Sequence, residues 1–474
     1  MEIQFSEFLK KSKPYLKELI NELDKDFKYV SVLATDSKGK EYLVSNSEIH
    51  IDKAMVAERG FVVRVYNGIN YSEYSFNYID DKNVGKIVLD IKNKFKNFSD
   101  KIENDLELIE YDVIKEEAIN KKEQKPVEIS PQSLGDEKII KRLTEINNKG
   151  MSLSDKILQF KSIYQYAQIN KIFLSKKKDL EESYMWSNGM LICMTSEKEN
   201  TKVIYDSFSG LKGAELLDEI ENGVEILVEN GLALLKSEPI KPGEYDVICS
   251  PAISGLIAHE AFGHGVEMDM FLKDRAKSKY YMNKEIASEL VTMHDGALGV
   301  NETASYVFDD EGNLANDTII IDKGIFKRGL CDTLSASKLN VIPANGRRES
   351  YERKAYSRMT NTYFEAGKDK LQDMIKSIDY GFLIEGSGSG MEDPKNWGIQ
   401  CIAIMAKEIK HGELTGKIYS PVIMTGYVPD LLKSISMVSE NVSLEGAGFC
   451  GKGSKEWVKV SCGGPYIKTK VRLG

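Results

Sequence analysis

Two of the five histidines in this 474-residue chain stand in one short segment, Ala258-His259-Glu260-Ala261-Phe262-Gly263-His264. Imidazoles bind divalent metals. A carboxylate directly after one of them can take a proton from metal-bound water, which is the chemistry of zinc hydrolases. The spacing sets a geometric demand. Histidines at i and i+4 lie about 40° apart around a regular helix, whereas an i, i+5 pair lies about 140° apart. His259 and His264 can share one ion only if the turn between them holds an extra residue. Gly263 and Gly265 flank His264 and give the backbone room for such a π-bulge, a device frequent at functional sites.

A catalytic zinc takes three protein ligands, so one is still missing. The candidates are Glu267, Asp269, His294, Asp295, Cys450 and Cys462. Glu267 follows His264 by three residues and is placed to orient an imidazole from outside the ligand shell. Asp269 and the His294-Asp295 pair could serve in the same way or simply be solvated. Thiolate is a strong zinc ligand, which favours a cysteine. Cys450 lies in Gly446-Ala447-Gly448-Phe449-Cys450-Gly451-Lys452-Gly453, where glycine lets backbone approach closely. It stands ahead of Cys462, with the carboxylates behind both.

The element that must carry the histidines has a readable start. Ser250 is suited to an N-cap and Pro251 to the first helical position. Ile253, Leu256, Ile257 and Phe262 then give a buried face. Upstream, apolar spacing predicts helices over residues 5–24, 81–96 and 136–149, and a helix over 211–235 interrupted at Gly223 and Gly231. Strands are predicted at Tyr29 to Ala34 and Glu41 to Val44, with Asp36-Ser37-Lys38-Gly39 as a turn between them. A hairpin is predicted around Asn67-Gly68, and further strands between 155 and 208. Residues 97–135 read as a charged, irregular connection with its linker at Lys121-Lys122-Glu123-Gln124-Lys125-Pro126. Ile240-Lys241-Pro242-Gly243 marks the next boundary. The fold class is α+β. An N-terminal α+β domain (1–105) precedes a linker and middle α/β module (106–240) and a β-rich C-terminal domain (241–474) that carries the metal helix.

A net charge of −9 argues against nucleic acid as the main partner. The six cysteines are scattered through a large chain without a C-x-x-C pair, which is not a disulfide framework. The N-terminus lacks a signal-peptide pattern, and no apolar run approaches the ~18 residues of a membrane span. The expectation is a cytoplasmic protein with reduced thiols and no membrane contact.

The segment His259 to Glu267 resembles the H-E-x-x-x-H signature of the TldD/PmbA family of metalloproteases. The resemblance continues in Asp309-Asp310-Glu311-Gly312, in Asn345-Gly346-Arg347-Arg348-Glu349-Ser350-Tyr351, and in Arg358-Met359-Thr360-Asn361-Thr362-Tyr363. It returns in Ser436-Met437-Val438 and Cys450-Gly451-Lys452. It implies His259 and His264 as metal ligands, Glu260 as the catalytic glutamate and Cys450 as the third ligand, which places Cys450 well above Cys462. It also implies cleavage of peptides and unfolded segments, and paired subunits, in one known case with a sister subunit that lacks the motif. The run Glu385 to Pro394, with Asn396-Trp397-Gly398, departs from the family's main branch and is a candidate to shape the substrate cleft. Its glycines read as a flexible turn. The arginines at 347, 348, 353 and 358 read as structural partners of carboxylates rather than as peptide anchors.

The leading expectation is a peptidase with one Zn²⁺ per chain, Fe²⁺ being the minor alternative. Glu260 activates the metal-bound water and the chain works as a homodimer or as a heterodimer with an inactive sister. The alternative from another class is a metal-stabilised scaffold or partner subunit without catalysis. A structural site gains nothing from Glu260, which weighs against that alternative.

Overall fold

The computed structural model describes residues 3–96, 110–453 and 455–474. The helix Glu7–Leu23 starts where Ser6 accepts a hydrogen bond from the Leu9 amide at 3.2 Å. Its buried face, Leu9, Leu16, Leu19, Ile20 and Leu23, packs with the helix Val84–Phe95 on an eight-stranded sheet. Six of that sheet's strands run in the order Tyr71–Phe76, Arg59–Tyr66, Val30–Ser45, Ile157–Ser175, Lys178–Glu197, Ile119–Gln124, with Ile49–Lys53 paired to Val30–Ser45 and Asn200–Gly210 paired to Lys178–Glu197. The helices Asp136–Ser152, Leu216–Asn222 and Val224–Leu234 pack around a second part of the same sheet. The break in the predicted 211–235 helix falls at Gly223 alone.

Three sequence expectations change here. The predicted turn at Asp36-Ser37-Lys38-Gly39 is absent, and Val30–Ser45 is one continuous strand. The polar residues that suggest a turn are satisfied by distant partners. Ser6 and Arg59 both donate to the Asp36 carboxylate, at 2.5 and 3.0 Å. A Cβ on Gly39 would stand 2.1 Å from the Tyr166 carbonyl oxygen, so this glycine permits close strand pairing. Second, the linker expected at Lys121–Pro126 begins as strand. Ile119–Gln124 pairs in parallel with Lys178–Ser183, and Lys122 meets Glu181 at 3.1 Å. The 105/106 boundary lies outside the described residues. The two segments it separates nonetheless share one sheet, because Ser31–Ser45 pairs in unbroken antiparallel register with Lys161–Ser175. Third, the glycine-rich run 385–392 belongs to the strand Tyr380–Glu392 and is paired with Ile399–Met405 across a bulge near Gly388.

The C-terminal half is β-rich, as expected. Five strands close into a ring: Tyr380–Glu392, Gly243–Cys249, Ile467–Leu473, Val422–Tyr427 and Gly398–Lys410, the last pairing back to the first. A six-stranded sheet lies beside it, with Ser443–Glu445 at one edge next to Ser461–Gly464. The helix that begins at Pro251 packs against strands of both sheets. Its apolar residues Ile253, Leu256, Ile257 and Phe262 enter the main C-terminal core.

Buried ion pairs join the two halves. Arg64 meets Glu73 at 2.7 Å and Glu311 at 2.5 Å. Arg348 meets Glu73 at 3.1 Å, and Lys171 lies between Glu182 and Asp310 at 2.9 and 3.1 Å. Arg348 and Arg358 are thus structural partners of carboxylates, as the sequence suggested. Arg353, largely exposed, also meets a carboxylate, Glu349 at 4.0 Å, whereas Arg347 donates to the Met359 carbonyl at 2.5 Å.

Candidate metal centre

The chain leaves the strand Gly243–Cys249, passes through Ser250 at the N-cap position, whose hydroxyl makes no capping hydrogen bond, and forms an α-helix over Pro251–Ile257. The helix then widens into a π-helical turn over Ala258–Gly263 and tightens into a 3₁₀ turn over His264–Val266. The His264 amide donates to the His259 carbonyl, so the widened turn is closed by the two histidines themselves. This is the non-α turn that an i, i+5 pair requires. The two rings stand 5.1 Å apart at 87° to each other.

Cys450 comes from a different element, a short ribbon in which Phe449–Cys450 pairs with Val458–Lys459. Its Sγ lies 3.2 Å from His259 Nε2 and 3.3 Å from His264 Nε2. One potential ligand atom from each of His259, His264 and Cys450 lies within 4.8 Å of the others. Burial alone would raise the Cys450 thiol. The two imidazoles overcome that and hold it well below its ordinary value, so sulfur is poised as thiolate. Two imidazoles and one thiolate converging on one point fit zinc in donor type and number.

The surroundings fix these groups. Glu267 is buried and faces His264 Nδ1 at 3.6 Å. Lys452 at 3.1 Å, on the same Oε2 that faces His264, and Arg358 at 3.2 Å, on Oε1, clamp Glu267. Burial would raise the Glu267 carboxyl, but Lys452, His264 and Arg358 hold it well below the usual carboxylate range. Arg358 also donates to the Cys450 carbonyl at 2.7 Å, which ties the cysteine ribbon to the histidine side of the site. Glu260 extends from the π turn toward Gly390. A Cβ on Gly390 would stand 2.3 Å from Glu260 Cγ, so only glycine leaves that side chain its place.

The other candidate ligands lie outside the cluster. Asp269 pairs with Lys452 at 2.7 Å and Lys273 at 3.3 Å. Asp295 is fully buried and accepts hydrogen bonds from Asn345, Thr360 and Thr362. Burial pushes the Cys462 thiol far up, which keeps it an inert neutral group. His294 lies between Asp317 at 2.9 Å and Glu365 at 2.8 Å. Burial lowers its basicity, but the two carboxylates outweigh burial and raise it above the ordinary histidine value. A raised folded pKa stabilises the fold fully below the unfolded value of about 6.5, and that contribution fades as pH rises through the folded pKa. The melting-temperature gap between the parent and His294→Gln is therefore expected to be widest near pH 6 and to shrink toward pH 9. A gap constant across that range would contradict this account.

Residues 242–472 match the family described as "PmbA/TldA metallopeptidase C-terminal domain". The matched region is the C-terminal half of the chain, the half that carries the histidine turn and Cys450. A "Metalloprotease TldD homolog" from Buchnera aphidicola subsp. Acyrthosiphon pisum is 31% identical over 298 residues, covering 61% of each chain. A metalloprotease of Methanocaldococcus jannaschii is 28% identical over 330 residues, 69% of this chain and 70% of that one. The match thus spans less than two thirds of the Buchnera protein. The fold as a whole resembles TldE from Thermococcus kodakarensis, with a TM-score of 0.75 at 18% identity over 97% of this chain and 100% of that one. It also resembles a putative modulator of DNA gyrase from Thermotoga maritima, with a TM-score of 0.77 at 15% identity over 98% of this chain and 100% of that one.

Within this half, sequence reasoning missed the clamp on Glu267 by Arg358 and Lys452, and the contact of Gly390 with Glu260. It also missed Glu392, which ends the strand carrying Gly390. The family motifs Arg358-Met359 and Cys450-Gly451-Lys452 contain the clamp residues, but nothing in their spacing reveals that both close on Glu267. Among the described residues, no helix is long and apolar enough to cross a membrane.

Proposed function

We propose that this protein is a zinc-dependent peptidase that hydrolyses unfolded or extended peptides in the cytoplasm. The observation that carries this reading is the convergence of His259, His264 and Cys450 with Glu260 in the same π turn. A bound zinc ion supplies Lewis acidity toward water and the scissile carbonyl. Glu260 takes the proton of the attacking water and passes it to the leaving amine. Gly390 keeps Glu260 in place for this transfer, and Glu267 fixes the orientation of His264. The thiolate donor offsets more of the ion's charge than a third imidazole would, which moderates its acidity.

An extended substrate has a natural berth. The strand Gly243–Cys249 pairs with Gly381–Ile384 only, so residues 385–392 have no strand partner on that side among the described residues. A cavity of about 730 Å³ is lined by Glu385 and Gly386 from this strand and by Ser443 and Glu445 from the edge of the second sheet. A peptide added there as a strand gains main-chain hydrogen bonds with little demand on sequence. The complete ligand set on one chain supports a homodimer ahead of a heterodimer with an inactive sister. We expect light scattering to give two subunits, and cleavage of an unfolded domain but not of its folded form. A monomer that cuts both forms equally would remove the restricted-access part of this reading and leave the metal chemistry standing.

A further inference from the structure

The strand that carries Gly390 ends on a carboxylate that the mechanism above does not use. Both oxygens of Glu392 are shielded from solvent and neither has a hydrogen-bond partner. The group lies over the backbone that follows a ligand histidine. A Cβ on Gly265 would stand 2.9 Å from Glu392 Oε1 and 3.6 Å from Oε2. Two residues earlier, Gly390 packs on the Glu260 side chain. The charged groups that reach Glu392 are His264, Glu260, Glu267 and Asp393, which is three carboxylates against one imidazole. The nearest site cations are already engaged, Lys452 by Glu267 and Asp269, and Arg358 by Glu267.

A buried carboxyl group with no partner costs a fold stability, and here burial, together with the Glu260, Glu267 and Asp393 carboxylates, pushes it well above the usual carboxylate range; an outside hydrogen-bond partner would relieve both. Metal ligation does not account for it, because the ligand cluster comprises His259, His264 and Cys450 without Glu392. The complement to a desolvated, unpartnered carboxyl group beside three further carboxylates is a hydrogen-bond-donating cation. We infer that Glu392 anchors a substrate ammonium group next to Glu260, and so sets where a peptide is cut. This rests on the peptidase reading for its consequence, though not for the binding itself. The ammonium has two sources, the α-amine of a peptide's first residue or a lysine side chain. The first directs cleavage close to the amino end of the chain, the second to bonds beside lysine.

The test uses the full-length zinc-loaded Glu260→Gln protein, so that peptides bind without turnover. Calorimetry compares H-Ala-Ala-Ala-NH₂, its N-acetylated form, and Ac-Ala-Lys-Ala-NH₂. We expect at least one cationic peptide to bind about tenfold or more tightly than the neutral one, as a hydrogen bond to a charged group is typically worth. Adding Glu392→Met should abolish that preference while zinc content is kept. The peptide that shows the preference identifies the source of the ammonium. Glu392→Met should also melt no lower than its parent, because it removes an uncompensated buried carboxylate; a residue with a merely structural role would lose stability. The inference is overturned by equal binding of all three peptides, by absence of binding, by a preference that survives Glu392→Met, or by zinc loss in that variant. Cleavage by the unmodified protein is read separately. Preference without cleavage removes the peptidase reading and keeps the anchor; cleavage without preference does the reverse.

Discussion

Glu260→Gln is expected to keep its zinc and its fold and to lose peptide cleavage by about 10²–10⁴-fold, the usual contribution of a positioned general base. The amide preserves the shape that Gly390 accommodates but cannot take a proton. Glu260 also lies outside the group of potential ligand atoms, so metal content should not change. The measurement is single-turnover cleavage of an unstructured peptide alongside zinc per chain. Near-normal turnover in a fully loaded Glu260→Gln protein would remove Glu260 from the mechanism. Loss of zinc would show instead that the carboxylate belongs to the ligand shell.

Replacing Cys450 should be the most damaging change to metal binding. Its sulfur is within 3.3 Å of the Nε2 atoms of both histidines, and Arg358 fixes its backbone. Cys450→Ser substitutes an oxygen that does not ionise at neutral pH, so affinity should fall by more than the about 10–100-fold seen when an outer-shell partner is lost. Cys462→Ser is the control. Its thiol is held neutral in the Ser461–Gly464 strand and should leave zinc unchanged. Zinc retained in the first protein and lost in the second would reverse the assignment. Stoichiometry by elemental analysis, with competition against a chelator, reads both outcomes.

The histidine turn was legible from the sequence because chemistry restricts it. Two ligands five residues apart allow few backbone paths, and the π turn over Ala258–Gly263 is one of them. The amphipathic helices were legible because their apolar period and caps are local, as with Ser6 and Leu9. What was misread depends on partners far along the chain. Asp36-Ser37-Lys38-Gly39 has the composition of a turn, and only Arg59, Ser6 and Tyr166 make it a strand interior. Lys121–Gln124 looks like a solvated linker until Lys178–Ser183 pairs with it. Glu392 carries no local signal, since its meaning comes from Gly265 and Glu260 more than a hundred residues upstream.

The flank at Glu385 to Glu392 has no strand partner among the described residues, although the Tyr205 hydroxyl donates to the Ser387 carbonyl at 2.7 Å and Gly390 packs on Glu260, and this has a consequence for solubility. An unpaired strand edge recruits any extended chain, including another copy of the same protein, and edges of this kind drive aggregation unless they are blunted. Here the edge reads Glu-Gly-Ser-Gly-Ser-Gly-Met-Glu, with acidic residues at both ends and a bulge near Gly388. Glycine and serine have weak strand propensity and offer no apolar side chain for a second copy to interlock with. The composition that disguised this segment as a loop thus lets it stay open without becoming sticky.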